Sequence, residues 1–250
     1  MHILLTNDDG INAEGLNILC RQLKQSCQVT VCAPETEQSA ISHAITLNKP
    51  LRVKEVHRDR GFFGYTVDGT PADCVKLAVR SLIRSKLDFI ISGINHGPNL
   101  GSDIMYSGTV SAACEGAILG IPSIAVSLAT YKKHNFNFAV KFVWQLVNQL
   151  NSVRSLRRLL LNVNIPALPE KKIRGVKITR QGRSFYEENF IKRIDPRGRI
   201  YYWLGGKVKW LRKETGSDIK AVENNFISIT PLQFDFTARK EIRRLRKLKF

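Results

Sequence analysis

Five short apolar runs punctuate the first two thirds of the chain: HILLT (2–6), VTVCAP (29–34), FIISG (89–93), SIAVSL (123–128) and LLLNVNIP (159–166). Most of them are apolar at successive positions, so both faces of each strand must be buried. That pattern belongs to a parallel sheet covered by helices on both sides. The intervening segments supply the helices. Residues 13–26 place Leu16, Leu19, Cys20 and Leu23 on one face at helical spacing. Thr70-Pro71 opens a second helix running to about Ile83, with proline in the first turn where its missing N–H costs nothing. Thr109 to Leu119 and 135–150 complete the set. A less regular stretch, 35–68, holds strand signals near 51–56 and 63–67. Beyond about 155 the texture changes, and 173–179, 199–204 and 226–231 read as hairpins before a basic amphipathic helix, TARKEIRRLRKLKF.

The chain has 250 residues, 43% hydrophobic and 24% charged, enough for one sizeable core. No apolar run approaches the ~20 residues that cross a bilayer, and two acids follow the first strand, which argues against a secretory signal. Five cysteines without a CxxC pair sit among apolar residues and read as buried thiols in a reducing cytoplasm. The net charge of +18 is uneven: residues 1–130 carry −1, residues 154–220 carry +12, and 237–250 carry +6. A field of that sign attracts phosphorylated anions without saying which.

Ligands of an open parallel sheet bind beyond the carboxyl ends of its strands. Asp8 and Asp9 follow the first strand, Gln38 and Ser39 the second, and SGINHGPNLGSDIMYSGT (92–109) the third. In that third loop Asn95, Asn99 and Asp103 alternate with glycines, which allow a close backbone approach. Ser107-Gly108-Thr109 then starts a helix whose free amides suit a phosphate; as plain caps the two hydroxyls would have only a structural part. Two adjacent carboxylates are tolerable where a hard cation such as Mg²⁺, Mn²⁺ or Ca²⁺ neutralises them. Together these features suit metal-assisted phosphoester hydrolysis. Neither a Walker A sequence nor GxGxxG is present, and HExxH and GxSxG are absent too. His2, His57 and His134 read as structural or solvated; His43 and His96 fall near the proposed site.

With these residues assembled, the chain resembles the SurE (survival protein E) nucleotidases. The resemblance runs nearly end to end, through TNDDG (6–10), APETEQSA (33–40), DGTPADCV (68–75), the 92–109 loop, LNVNIP (161–166), DPRGRIYYWLGG (195–206) and SITPLQFDFT (228–237). It implies a Rossmann-like catalytic core, 1–170, and a β-hairpin arm, returning strand and C-terminal helix, 171–250, used for homodimer or homotetramer formation. It implies a phosphatase acting on nucleoside monophosphates, with one divalent metal ion held by Asp8, Asp9, Ser39 and Asn95. Asp8 and Asp9 would be catalytic, and Asn99, Ser107, Gly108 and Thr109 would meet substrate. Thr36 departs from the family's basic residue and bears on substrate contact. A polyphosphate side activity would fit the basic half. The alternative is a basic nucleic-acid-binding protein with a vestigial metal site; the intact ligand set and the lack of a nucleic-acid-binding motif weigh against it.

Overall fold

A computed structural model describes residues 1–58, 61–132, 134–153, 156–210 and 215–248. Four of the apolar runs become the central strands β1 (His2–Thr6), β5 (Phe89–His96), β6 (Ser123–Ala129) and β7 (Leu160–Pro166). With β2 (Gln28–Pro34), β3 (Val53–Arg58), β4 (Gly61–Val67), β8 (Val176–Ile178) and β11 (Ile227–Pro231) they form a nine-stranded sheet. Its order is β3-β4-β2-β1-β5-β6-β7-β11-β8. Pairing is parallel from β4 through β7, and antiparallel at β3–β4 and β7–β11. Chain order turns in opposite directions on either side of β1: β2 lies on one flank and β5 on the other. Such a reversal opens a crevice at the carboxyl ends of β1 and β5.

The two faces of the sheet follow from the period of two along each strand. Ile3, Leu5, Ile91 and Val126 face α1 (Glu14–Leu23) and α4 (Asn137–Asn151), packing with Leu16, Leu19, Val143 and Val147. Leu4 and Ile90 point the other way, to α2 (Pro71–Leu77), whose Cys74 and Val75 pack with them. Ala125 and Leu160 meet Ala113 and Ala117 of α3 (Gly108–Ile118). Truncating one of the fully buried leucines to alanine should cost about 2–5 kcal/mol, because the sheet cannot collapse onto the gap. The Thr70-Pro71 start is a capping box: Asp73 N–H donates to Thr70 Oγ1 at 3.1 Å, and Thr70 N–H to Asp73 Oδ2 at 2.9 Å.

The reading of the C-terminal third needs correction. Of the three supposed hairpin segments, only 199–204 lies in one, formed by β9 (Ser184–Ile194) and β10 (Ile200–Trp210). Segments 173–179 and 226–231 contribute β8 and β11 to the main sheet, where β11 pairs β7 and β8 pairs β11. β8 is the exposed edge strand of the sheet, while β11 lies between β7 and β8 with Ile227 and Ile229 turned into the core. The short helix α5 (Asp218–Glu223) returns the chain to β11, and α6 (Arg239–Leu245) is an exposed basic segment. Among the described residues no helix is long and apolar enough to cross a membrane.

Candidate active site

The turn after β1 sits in the crevice. Asn7 is buried and its amide donates to the Gly10 carbonyl at 2.9 Å, closing the turn that carries Asp8 and Asp9. Asp8 is buried, and burial raises its carboxyl above the usual range despite hydrogen bonds from the Thr109 hydroxyl and the Thr109 N–H. Asp9 is raised to about 6, first by burial and then by the neighbouring Asp8 charge, against a hydrogen bond from the His96 N–H. Glu37 adds a third negative charge acting on both. Asp8 and Asp9 thus share a site with Glu37 charge nearby, and His96 is the basic group acting on Asp9. Groups left in this state want a cation.

Gly108 allows the helix to close on this pair. A Cβ there would lie 2.7 Å from Asp8 Cβ, 2.9 Å from Asp8 Oδ2 and 3.1 Å from the Gln38 carbonyl. Only glycine lets the first turn of α3 reach the carboxylate. The β2–β3 loop arrives at the same point, since Gln38 N–H donates to the Asp8 carbonyl at 2.8 Å. The structure therefore gathers Asp8, Asp9, Gly108, Thr109 and the Gln38–Ser39 segment, with residues 95–96 beside Asp9. Asn95 donates its amide to the Gly97 carbonyl at 2.9 Å, which keeps Oδ1 as the side chain's acceptor. Ser39 is exposed and its hydroxyl is turned to Glu37 Oε1.

Two other expected residues have different surroundings. Asn99 is a buried member of the loop, its side-chain amide on Ser127 Oγ at 2.8 Å and its backbone carbonyl accepting from Asn162 and Asn164 at 2.8 and 2.9 Å. Ser107 is the N-cap of α3 and accepts the Val110 N–H at 3.1 Å. Ser107→Ala should therefore cost about 1 kcal/mol of stability, as a lost cap does, with little change in kinetics. Thr109→Val, which removes only the donor to Asp8, should lower kcat/KM about tenfold with a smaller stability loss. Equal kinetic effects from the two, measured alongside thermal melts, would contradict this division.

Sequence reading missed Glu37, although it lies two residues from Ser39 in a segment already under suspicion. It also missed Asn162 and Asn164, whose signal was visible as two amides alternating within an apolar strand. His43 turns away from the carboxylates. Its Nε2 lies 3.0 Å from Glu115 Oε2, while Lys76 Nζ reaches Glu115 Oε1 at 2.7 Å. This tie anchors the β2–β3 loop to α2 and α3. Bonds to Cys114 and then Glu115 raise His43 to about 9, above its unfolded value of about 6.5. A raised histidine stabilises the fold below pH ~6.5 and loses that contribution as pH climbs through about 9. Denaturant melts of wild type and His43→Gln should accordingly converge over that window; a gap constant with pH would refute the tie.

The family model for Survival protein SurE matches residues 3–188. A 5′-nucleotidase SurE of Alkaliphilus metalliredigens is 47% identical over 250 residues, covering 99% of this chain and 98% of that protein. The chain belongs to the SurE family. A 5′-nucleotidase SurE of Thermoanaerobacter sp. (strain X514) is 51% identical over 237 residues, covering 95% of this chain and 94% of its own length. The crystal structure of SurE protein from Aquifex aeolicus superposes with a TM-score of 0.84 at 42% identity, over 99% of both chains. The SurE fold thus accounts for the mixed, mostly parallel sheet, the β9–β10 hairpin and the terminal helix together.

Proposed function

We propose that this SurE-family chain is a divalent-metal-dependent phosphatase that hydrolyses nucleoside monophosphates to nucleoside and inorganic phosphate. The observation that carries the reading is the pair of buried Asp8 and half-buried Asp9 at the switch point, with Glu37 adding charge of the same sign. The relatives named 5′-nucleotidase support the substrate class.

The donor chemistry fits a hard cation. Among the described residues no group of three or more His, Cys, Asp or Glu side chains is placed to hold a metal ion, so carboxylates alone do not make the set. Asp8, Asp9, Ser39 and Asn95 instead offer two carboxylates and two neutral oxygens, the mixture Mg²⁺, Mn²⁺ or Ca²⁺ takes. When bound, such an ion polarises a phosphoryl oxygen and lowers the pKa of water. The protein's part is to hold that set still. Thr109 fixes Asp8 from two sides and the Gly97 carbonyl orients Asn95, while Ser39, whose hydroxyl donates to Glu37, would have to turn from it to join the set. The first turn of α3 faces the phosphate across Gly108. A cleft of about 370 Å³ beside Asp9, walled by Ile94, His96, His134 and Phe136, gives the nucleoside a place to lie. Net water addition breaks the P–O ester bond; the nucleoside oxygen takes a proton and phosphate leaves.

The exposed apolar hairpin supports a homodimer or homotetramer, and five free thiols support a cytoplasmic setting. The basic arm makes polyphosphate a reasonable second substrate. The deciding assay is inorganic phosphate released from AMP, GMP and polyphosphate with Mn²⁺ or Mg²⁺, with and without EDTA. EDTA-sensitive release from a monophosphate is expected. Release indifferent to EDTA would refute the metal, and no release beside salt-dependent RNA binding would favour the nucleic-acid reading.

A further inference from the structure

The loop that carries Asn95 and Ser107 is gripped from below by the root of the β9–β10 arm. Gly101, midway along it, has both backbone polar groups engaged by that root. Its N–H donates to Asp218 Oδ2 at 2.9 Å, and its carbonyl accepts Gln181 Nε2 at 2.8 Å. Asp218 is fully buried, and its other oxygen accepts the N–H groups of Gly182 at 2.8 Å and Ile219 at 2.7 Å. Asp218 N–H in turn donates to the Arg180 carbonyl, and Arg180 N–H to the Gly216 carbonyl, at 2.9 and 3.0 Å. Residues 180–182 and 216–219 thus bracket the hairpin and clasp each other before clasping the loop.

A buried carboxylate is costly unless its oxygens are occupied. Here its hydrogen-bond donors are backbone N–H groups from three separate segments, so its position fixes theirs relative to one another. Gly182 leaves no room for a side chain in this arrangement, since a Cβ would lie 2.6 Å from Ile219 Cδ1 and 2.8 Å from Asp218 Oδ1. Gly101 itself has φ +57°, a backbone conformation favoured by glycine, and begins the short 3₁₀ turn Gly101–Met105 that leads to Ser107. We propose that Asp218, with Gln181, is a positioning residue: through Gly101 it sets the geometry of the 95–107 loop and makes the arm's root part of the active-site scaffold. The proposal rests on the phosphatase reading only for its kinetic arm.

The test is hydrogen exchange of the 97–107 amides in the full-length, metal-free protein, paired with kcat and KM on AMP, for Gln181→Ala and Asp218→Asn. Both variants should speed exchange in that loop, while β1, β5 and β6 keep their protection. Both should lower kcat/KM about tenfold or more, chiefly through kcat, since a displaced loop misplaces reacting groups. The double variant should cost little beyond Asp218→Asn alone, because both residues act on Gly101. Should Asp218→Asn fail to fold, Gln181→Ala carries the test, since its side chain is partly exposed. Unchanged loop exchange, exchange raised throughout the sheet, or a loosened loop with undiminished kcat/KM would each overturn the proposal. A wild type without phosphatase activity would sink the proposed function, while loop-confined exchange in the variants would still establish the clasp.

Discussion

Asp9→Asn and Asp8→Asn should each lower phosphate release at least about 100-fold at saturating Mn²⁺, with the fold retained. Each exchange removes one negative charge from a site whose remaining oxygens are neutral apart from the partner carboxylate and Glu37. The metal-free protein should respond in the opposite sense. Asp9 is raised to about 6 in the fold against an ordinary value near 3.8. A raised carboxyl favours folding while protonated, so its contribution is present below pH ~4 and is lost as pH rises through about 6. Metal-free wild type should therefore lose stability between about pH 4 and 6, and Asp9→Asn should lose less. Added Mn²⁺ should restore wild type at neutral pH by binding only the folded state. Full activity in both single variants would end the metal-site account, and identical metal-free pH profiles would end its electrostatic half.

If the chain assembles as proposed, replacing 185–209 with a short Gly-Ser turn should give a smaller particle than the intact protein. Phe190 pairs across the hairpin with Leu204 and Ile191 with Trp203, and these four side chains are 61%, 63%, 43% and 64% exposed. Since neighbouring residues point to opposite faces, both faces of the ribbon are apolar, and a lone two-stranded ribbon is marginal in water. Aromatic side chains in this setting are the usual anchors of a subunit contact. Tyr201 and Tyr202 extend the surface, and the exposed Arg193, Arg197 and Arg199 would surround it with positive charge. A wider cut at 182–220 would be a poor experiment. It would remove Gly182, Asp218, Ile219 and Trp210 together with 211–214, which lie outside the described residues, and Asp218 and Ile219 are core. Light scattering after size exclusion should show the change in mass, and activity on p-nitrophenyl phosphate should fall less than on larger anions, most clearly at low salt. Intact protein that runs as a monomer at micromolar concentration would leave the arm some other purpose.

The central sheet was legible because continuous burial leaves continuous apolar runs: Ile3 to Leu5 and Ile90 to Ile91 could hardly be anything else. The carboxyl-edge loops followed, since topology alone puts Asp8 and residue 95 on one edge. What composition could not give was the division of labour among neighbours in one loop. Ser107 and Thr109 are both hydroxyls at a helix start, yet one caps the helix and the other holds Asp8. Asn99 was expected to meet substrate; composition could not show that its side-chain amide rests on Ser127 Oγ or that Asn162 and Asn164 hold its backbone carbonyl. The strands β8 and β11 read as hairpins because a strand paired at long range leaves no local mark of its partner. Asp218 was invisible for a related reason, since its partners at 101 and 182 are distant in sequence.

The most direct measurement is a Mn²⁺ titration followed by electron paramagnetic resonance, on wild type and Asp9→Asn, with and without AMP. One site per chain is predicted in wild type, emptied by EDTA, perturbed by AMP and lost or weakened at least about tenfold in Asp9→Asn. Equal binding by the two proteins, or an AMP-insensitive Mn²⁺ signal alongside continuing phosphate release, would place the chemistry away from Asp8 and Asp9 and contradict the account.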